Sequence, residues 1–185
     1  GISYIYLAET GDNNLPFTYY TIYRFEEPSA TTDTIRTIDK IYFLYPDGPH
    51  DAEAIFINNI TKDIYIITNR DAKSKIYKLP YPQNTTSAST ATAVGELPFN
   101  NVTGAAASAD GKELLIKTYT TVNYWKVNGT ETIETTLQKK TVVLGYTGEP
   151  QGEAICFMND NTGFFTLSEK PFFATSVTLN LYKRK

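Results

Sequence analysis

A chain of 185 residues, 41% of them apolar and 14% aromatic, can fill the core of one sizeable domain. Its net charge of −3, with no basic cluster beyond Lys183-Arg184-Lys185, argues against nucleic acid as a partner, and no apolar run approaches the roughly 20 residues of a membrane span. The 14 Tyr and 10 Phe, with abundant Thr, Ile and Val, favour strands over helices.

Residues 2–8 alternate like a strand and run into Glu9-Thr10-Gly11-Asp12-Asn13-Asn14, a cluster of turn formers. A second strand is predicted over 19–25 and a third over 34–45. An inner strand over 53–58 then turns into one over 63–68. Ile76-Tyr77-Lys78 marks the next, Tyr81 to Ala91 is a Pro- and Ser/Thr-rich loop, and 92–97 forms an outer strand. Strands over 103–108 and 113–118 follow, then Tyr124-Trp125-Lys126. The segment 131–140 could form a short helix or continue as strand into 137–146. The last strands are 153–158, 163–168 and one around Leu181-Tyr182-Lys183.

These elements repeat. Shifting by 100 positions lays Glu53-Ala54-Ile55 on Glu153-Ala154-Ile155, and Ile64 to Thr68 on Phe164 to Ser168. An aromatic followed by a base recurs at Tyr23-Arg24, Tyr77-Lys78, Trp125-Lys126 and Tyr182-Lys183, spaced 54, 48 and 57 residues apart. A period near 50 built only of strands predicts an all-β fold, a β-propeller with four-stranded antiparallel blades. Within a single domain, 1–185, the blade parts are 1–45, 51–97, 102–146 and 151–185, about three and a half blades. Small residues such as Ala54, Ala105 to Ala107 and Ala154 suit inner strands crowded at the axis. Propellers typically close with about 4 to 8 blades, so the chain is expected to be one piece of a larger ring, completed by its remaining part or by another copy. A segment ahead of Gly1, cleaved or disordered, would supply the rest. The rival arrangement is a compact four-bladed ring.

In an antiparallel hairpin the first residue of one strand lies beside the last of its partner. Asp51 and Glu53 therefore meet Asn69 at one mouth of the channel, Glu153 and Gln151 meet Glu169, and Asp12 and Glu9 arrive from the first blade. Converging carboxylates with almost no His or Cys suit a hard cation, so Ca²⁺ is the metal expected at Asp51, Glu53 and Glu153, with Glu169 and Asp12 as weaker ligands. The plainer alternative has these acids capping turns and pairing with Arg70, Lys73 and Lys170. The single histidine, His50, reads as an exposed loop residue, and no Gly-x-Ser-x-Gly elbow accompanies it. Cys156 occupies the place of Phe56 and reads as a buried small hydrophobe. Sequons at Asn59, Asn84, Asn101 and Asn128 all fall in predicted turns or loops, where glycans are carried, which points to a secreted protein.

Ala8-Glu9-Thr10-Gly11-Asp12-Asn13, Tyr23-Arg24, Glu27-Pro28, Tyr45-Pro46-Asp47-Gly48 with Asp51-Ala52-Glu53-Ala54, and Gly152-Glu153-Ala154-Ile155 together resemble secreted six-bladed β-propeller proteins of the TolB-like and phytase-like group. The resemblance implies further blades ahead of Gly11-Asp12-Asn13 and calcium at Asp51, Glu53 and Glu153. Asn14-Leu15-Pro16 stand where such proteins often carry an Arg, and no lysine-rich phosphate cleft is evident. The function expected is therefore a secreted or cell-surface glycosylated propeller acting as a non-enzymatic binding and assembly scaffold in an extracellular structure. The alternatives are a calcium-dependent phosphoesterase-like hydrolase and a carbohydrate-binding module that stacks sugars on Phe17, Phe99 and Phe172.

Overall fold

The computed structural model describes residues 1–184; Lys185, the last of the basic end, lies outside them. Alternating apolar side chains and turn residues at 8- to 12-residue intervals produce fifteen short strands in four sheets, with one helical turn and a half. The first sheet runs β1 (Tyr4–Glu9), β2 (Tyr20–Glu26) and β3 (Asp39–Leu44). The second runs β4 (Ala52–Ile57), β5 (Ile64–Thr68) and β6 (Lys75–Leu79). The chain then returns to the first sheet as β7 (Ser89–Thr90), parallel to β3, before β8 (Thr92–Glu96) completes the second. The third sheet is β9 (Val102–Ala107), β10 (Glu113–Thr118) and β11 (Val122–Lys126), followed by α1 (Ile133–Leu137) and β12 (Val142–Leu144). The fourth is β13 (Gly152–Phe157), β14 (Gly163–Ser168) and β15 (Leu179–Lys183).

The four sheets are propeller blades, each a meander from axis to rim. Inner strands β4, β9 and β13 lie side by side around the axis. They can do so because their side chains are small there. A Cβ on Gly104 would stand 2.4 Å from the backbone oxygen of Glu153, a separation that only glycine permits.

Three apolar clusters hold the fan together, one at each junction between consecutive blades. The first joins Tyr20, Ile22, Ile41, Phe43 and Tyr45 to Ile64, Ile66, Tyr77 and Leu79. The second joins Ala54, Phe56, Tyr65 and Ile67 to Val102, Leu114, Ile116 and Trp125, and the third joins Leu115 and Val122 to Ile155 and Phe164. In each junction the aromatic of the aromatic-base marker, Tyr77, Trp125 or Tyr182, packs against the preceding blade. Among the described residues no cluster and no hydrogen bond joins the fourth blade to the first.

Several elements differ from their sequence expectation, for local reasons. The outer strand expected over 137–146 shrinks to Val142–Leu144, because Thr132 caps α1 by accepting from the Thr135 N–H and because Ile133 and Leu137, four apart, bury in the second cluster. The strand expected over 34–45 is paired only from Asp39. The 81–91 loop contains β7, which the polar composition concealed. Cys156 is exposed rather than buried, since it lies on the outward face of the last blade, where Phe56 in the second blade is covered by the third.

Candidate functional site at the channel mouth

Strand register brings the acids together at one mouth. Ala52 pairs with Thr68, so Asn69 donates its N–H to the Asp51 carbonyl at 2.8 Å; Glu169 does the same to Gln151 at 2.8 Å in the fourth blade. The first blade joins them through Thr10, whose carbonyl accepts the Ala52 N–H at 3.2 Å and whose hydroxyl donates to the Ala52 carbonyl at 2.8 Å. Asp51 is buried. It accepts from the Asp12 N–H at 2.6 Å and from Arg70 Nε at 2.7 Å, the partner that the plainer alternative expected. Buried Asp12 in turn accepts from the Tyr20 hydroxyl at 2.8 Å and from the Phe17 N–H at 3.2 Å through Oδ2.

The remaining acids divide between the blades. Gln151 Nε2 bridges Glu169 Oε2 at 2.7 Å and Glu153 Oε1 at 3.3 Å. Burial raises the Glu53 carboxyl above its ordinary value, Asn69 opposes the shift, and the charges of Asp51 and Glu153 add to it. Glu153 is raised as well, again by burial first, with Glu169 adding and Gln151 opposing. Burial and the charge of Glu53 likewise raise the Tyr119 hydroxyl. Asp12, Asp51, Glu53, Glu153 and Glu169 thus share a mouth of negative potential. They form no group of three His, Cys, Asp or Glu side chains placed to hold a metal among the described residues.

His50 sits elsewhere than expected. It is buried at the junction of the first two blades, with Nε2 2.9 Å from the Tyr77 hydroxyl and 3.2 Å from Asp47 Oδ1, and Nδ1 3.1 Å from Asp71 Oδ2. Its N–H donates to the Tyr20 oxygen at 3.1 Å, and its ring meets Tyr45 edge-on at 5.1 Å. Partial burial works against the Asp47 carboxylate, but bonds from Lys75, Tyr77 and His50 hold its carboxyl down at about 2. The third and fourth blades are pinned by a buried lysine instead. Lys117 Nζ donates to the Gly152 carbonyl at 2.6 Å and lies 3.7 Å from Glu149 and 4.8 Å from the Tyr146 ring centroid. Neither group faces a nucleophile. Both were invisible in sequence, because a histidine in a turn and a lysine in an apolar strand give no sign of what another blade places against them.

Of the loop aromatics, Phe99 packs on the Trp125 ring at 6.4 Å and belongs to the core, whereas Phe17 is exposed and Phe172 wholly so. Sequon residues Asn84, Asn101 and Asn128 are exposed; Asn59 is half-buried and donates its amide to the Ser108 carbonyl at 2.9 Å. No helix is long and apolar enough to cross a membrane among the described residues.

No family model and no curated protein matches the sequence. Solved structures do match in shape. A chain of the nidogen/laminin complex gives a TM-score of 0.55 at 12% identity, over 97% of this chain and 61% of that one. TolB from Acinetobacter baumannii gives 0.57 at 13% identity, over 97% and 39%. Hydrazine synthase of Kuenenia stuttgartiensis gives 0.52 at 9% identity, over 88% and 40%. The fold is a β-propeller. At such identities the likeness concerns the fold alone, and the chain spans less than two thirds of each of these three structures.

Proposed function

We propose that the protein is a non-enzymatic propeller that serves as a binding and assembly scaffold, engaging polypeptide through the outward face of its fourth blade. One observation carries this reading. The outward face of the fourth blade bears Ala154, Cys156, Phe165 and Leu167, the counterparts of Ala54, Phe56, Tyr65 and Ile67, which the third blade covers in the second. Ile67 is fully buried, whereas Leu167 is 37% exposed. A face of this composition is one that further polypeptide covers, as the third blade covers its counterpart in the second. The exposed sequons at Asn84, Asn101 and Asn128 support a secreted, glycosylated protein of this kind. The phosphoesterase alternative receives no nucleophile and base pair from the mouth, where the groups found are mutually repelling carboxylates and their hydrogen-bond partners.

A photo-crosslinking residue at position 167, in the protein as its own cells make it, tests the proposal. Covalent capture of polypeptide at 167 but not at the exposed control position Lys112 is expected; equal labelling at both positions sinks the scaffold reading.

A further inference from the structure

Asn128 takes no part in the core. It stands in the exposed connection between β11 and α1 and is followed by Gly129, the chain's only Asn-Gly pair. The Glu131 N–H donates to the Asn128 carbonyl at 3.1 Å, so 128–131 is a tight turn, which Gly129 permits with a φ of +56° that side chains rarely adopt. Nothing lies within 4 Å of the place that a Cβ on Gly129 would occupy. Among the described residues the Asn128 carboxamide makes no hydrogen bond, and neither does the Gly129 N–H. The other sequon asparagines differ on both counts. Asn59 donates its amide to the Ser108 carbonyl at 2.9 Å, Asn84 Oδ1 accepts from the Thr86 and Ser87 N–H groups at 2.8 and 3.0 Å, and Asn101 donates to Asn100 at 3.1 Å. Each precedes a β-branched residue, Ile60, Thr85 or Val102, whose side chain crowds the next backbone nitrogen.

We propose that Asn128 is a modification site of a second kind, one that cyclises through Gly129 in the folded protein. The Gly129 nitrogen gives up its proton and bonds to the side-chain carbonyl carbon of Asn128. The bond from that carbon to the amide nitrogen breaks, and the nitrogen leaves as ammonia. Water then opens the five-membered succinimide at either carbonyl, giving aspartate or isoaspartate, with no oxidant or reductant consumed. Three features favour closure here: no Cβ on Gly129 shields its nitrogen, no hydrogen bond must break to free either reacting group, and the turn is open to solvent. A glycan on Asn128 would occupy the nitrogen that must leave, so the two fates compete for one side chain. The inference goes beyond the scaffold reading and does not depend on it. Its product adds a negative charge beside Glu131, whose Oε2 accepts from the Asn128 N–H at 3.4 Å, and isoaspartate lengthens the backbone of the turn that leads into α1.

Peptide mapping by mass spectrometry tests this on the whole protein, unglycosylated and kept folded in warm, mildly alkaline buffer. Conversion at Asn128 is seen as replacement of the amide NH₂ by OH, and its isoaspartate as labelling by an isoaspartyl methyltransferase. It should run about tenfold faster than at any other asparagine, a barrier lower by about 1.4 kcal/mol. Asn128→Gln, whose longer side chain must close a six-membered ring, should abolish the labelling. Thr130→Ala, which removes the sequon alone, should leave the rate unchanged. Three outcomes overturn the inference: Asn128 intact throughout; another asparagine converting as fast; or conversion at 128 in urea but not in the folded chain, meaning that the turn shields the amide. None of them bears on crosslinking at position 167, so failure here is separable from failure of the scaffold reading.

Discussion

Lys117 is the residue whose surroundings say most about how consecutive blades are fixed. Its ammonium is wholly buried, held by two backbone carbonyls and the Glu149 carboxylate, which also accepts from the Tyr146 hydroxyl at 2.8 Å and from Asn180 at 2.8 Å. Replacing one member of such a pair strands the other charge. Lys117→Met should cost about 3–5 kcal/mol in urea denaturation, and Lys117→Met with Glu149→Gln should cost less than the two single changes summed. Glu53 behaves in the opposite sense. Its carboxyl is raised in the folded state, so the group is neutral at no cost below the ordinary carboxylate range and disfavours the fold once pH rises through its raised pKa. Glu53 is exposed, and solvent screening keeps the effect small: Glu53→Gln should raise the melting temperature slightly near pH 7, with the gain vanishing near pH 4; an equal gain at both would refute the assignment. At this scale the sequence was only partly legible. The acids of the mouth and the pairing of Asp51 with Arg70 could be located because hairpin ends meet by geometry, but the burial of His50 and the exposure of Cys156 depend on whether another blade lies on top.

Strands were the most legible elements, since period-two alternation and Gly- and Asn-rich turns fix them locally. Elements at the rim were the least. There, one face is solvated and the pattern loosens, so 131–140 read as either helix or strand, and a Thr cap with two apolar residues four apart decides for α1. The crowding of inner strands is sharper. Gly104 on β9 faces the backbone of Glu153 on β13 with room for hydrogen only. Gly104→Ala should push the third and fourth blades apart and destabilise by about 1–3 kcal/mol, read as a lowered urea midpoint; an unchanged midpoint would show that the two strands slide freely.

For the whole molecule, the blades were legible in the aromatic-base marker that returns 54, 48 and 57 residues apart. Among the described residues no three His, Cys, Asp or Glu side chains are placed to hold a metal, and this sets the expectation for calcium at Asp51, Glu53 and Glu153. Addition of millimolar Ca²⁺ followed by EDTA should leave the melting temperature unchanged, and a rise reversed by EDTA would instead establish a site at Glu53 and Glu153.

The three junctions are unequal. The first is built from tilted and edge-on aromatics around His50, the second from a dozen buried residues, and the third from four with a lysine at its centre. In a stack without closure each blade is held only by its neighbour, as in a linear array of repeats. Such an array has a weak end. Under mechanical load, or in the presence of a protease, the fourth blade should peel away first, with cleavage between Tyr146 and Gln151, while blades one to three remain a unit.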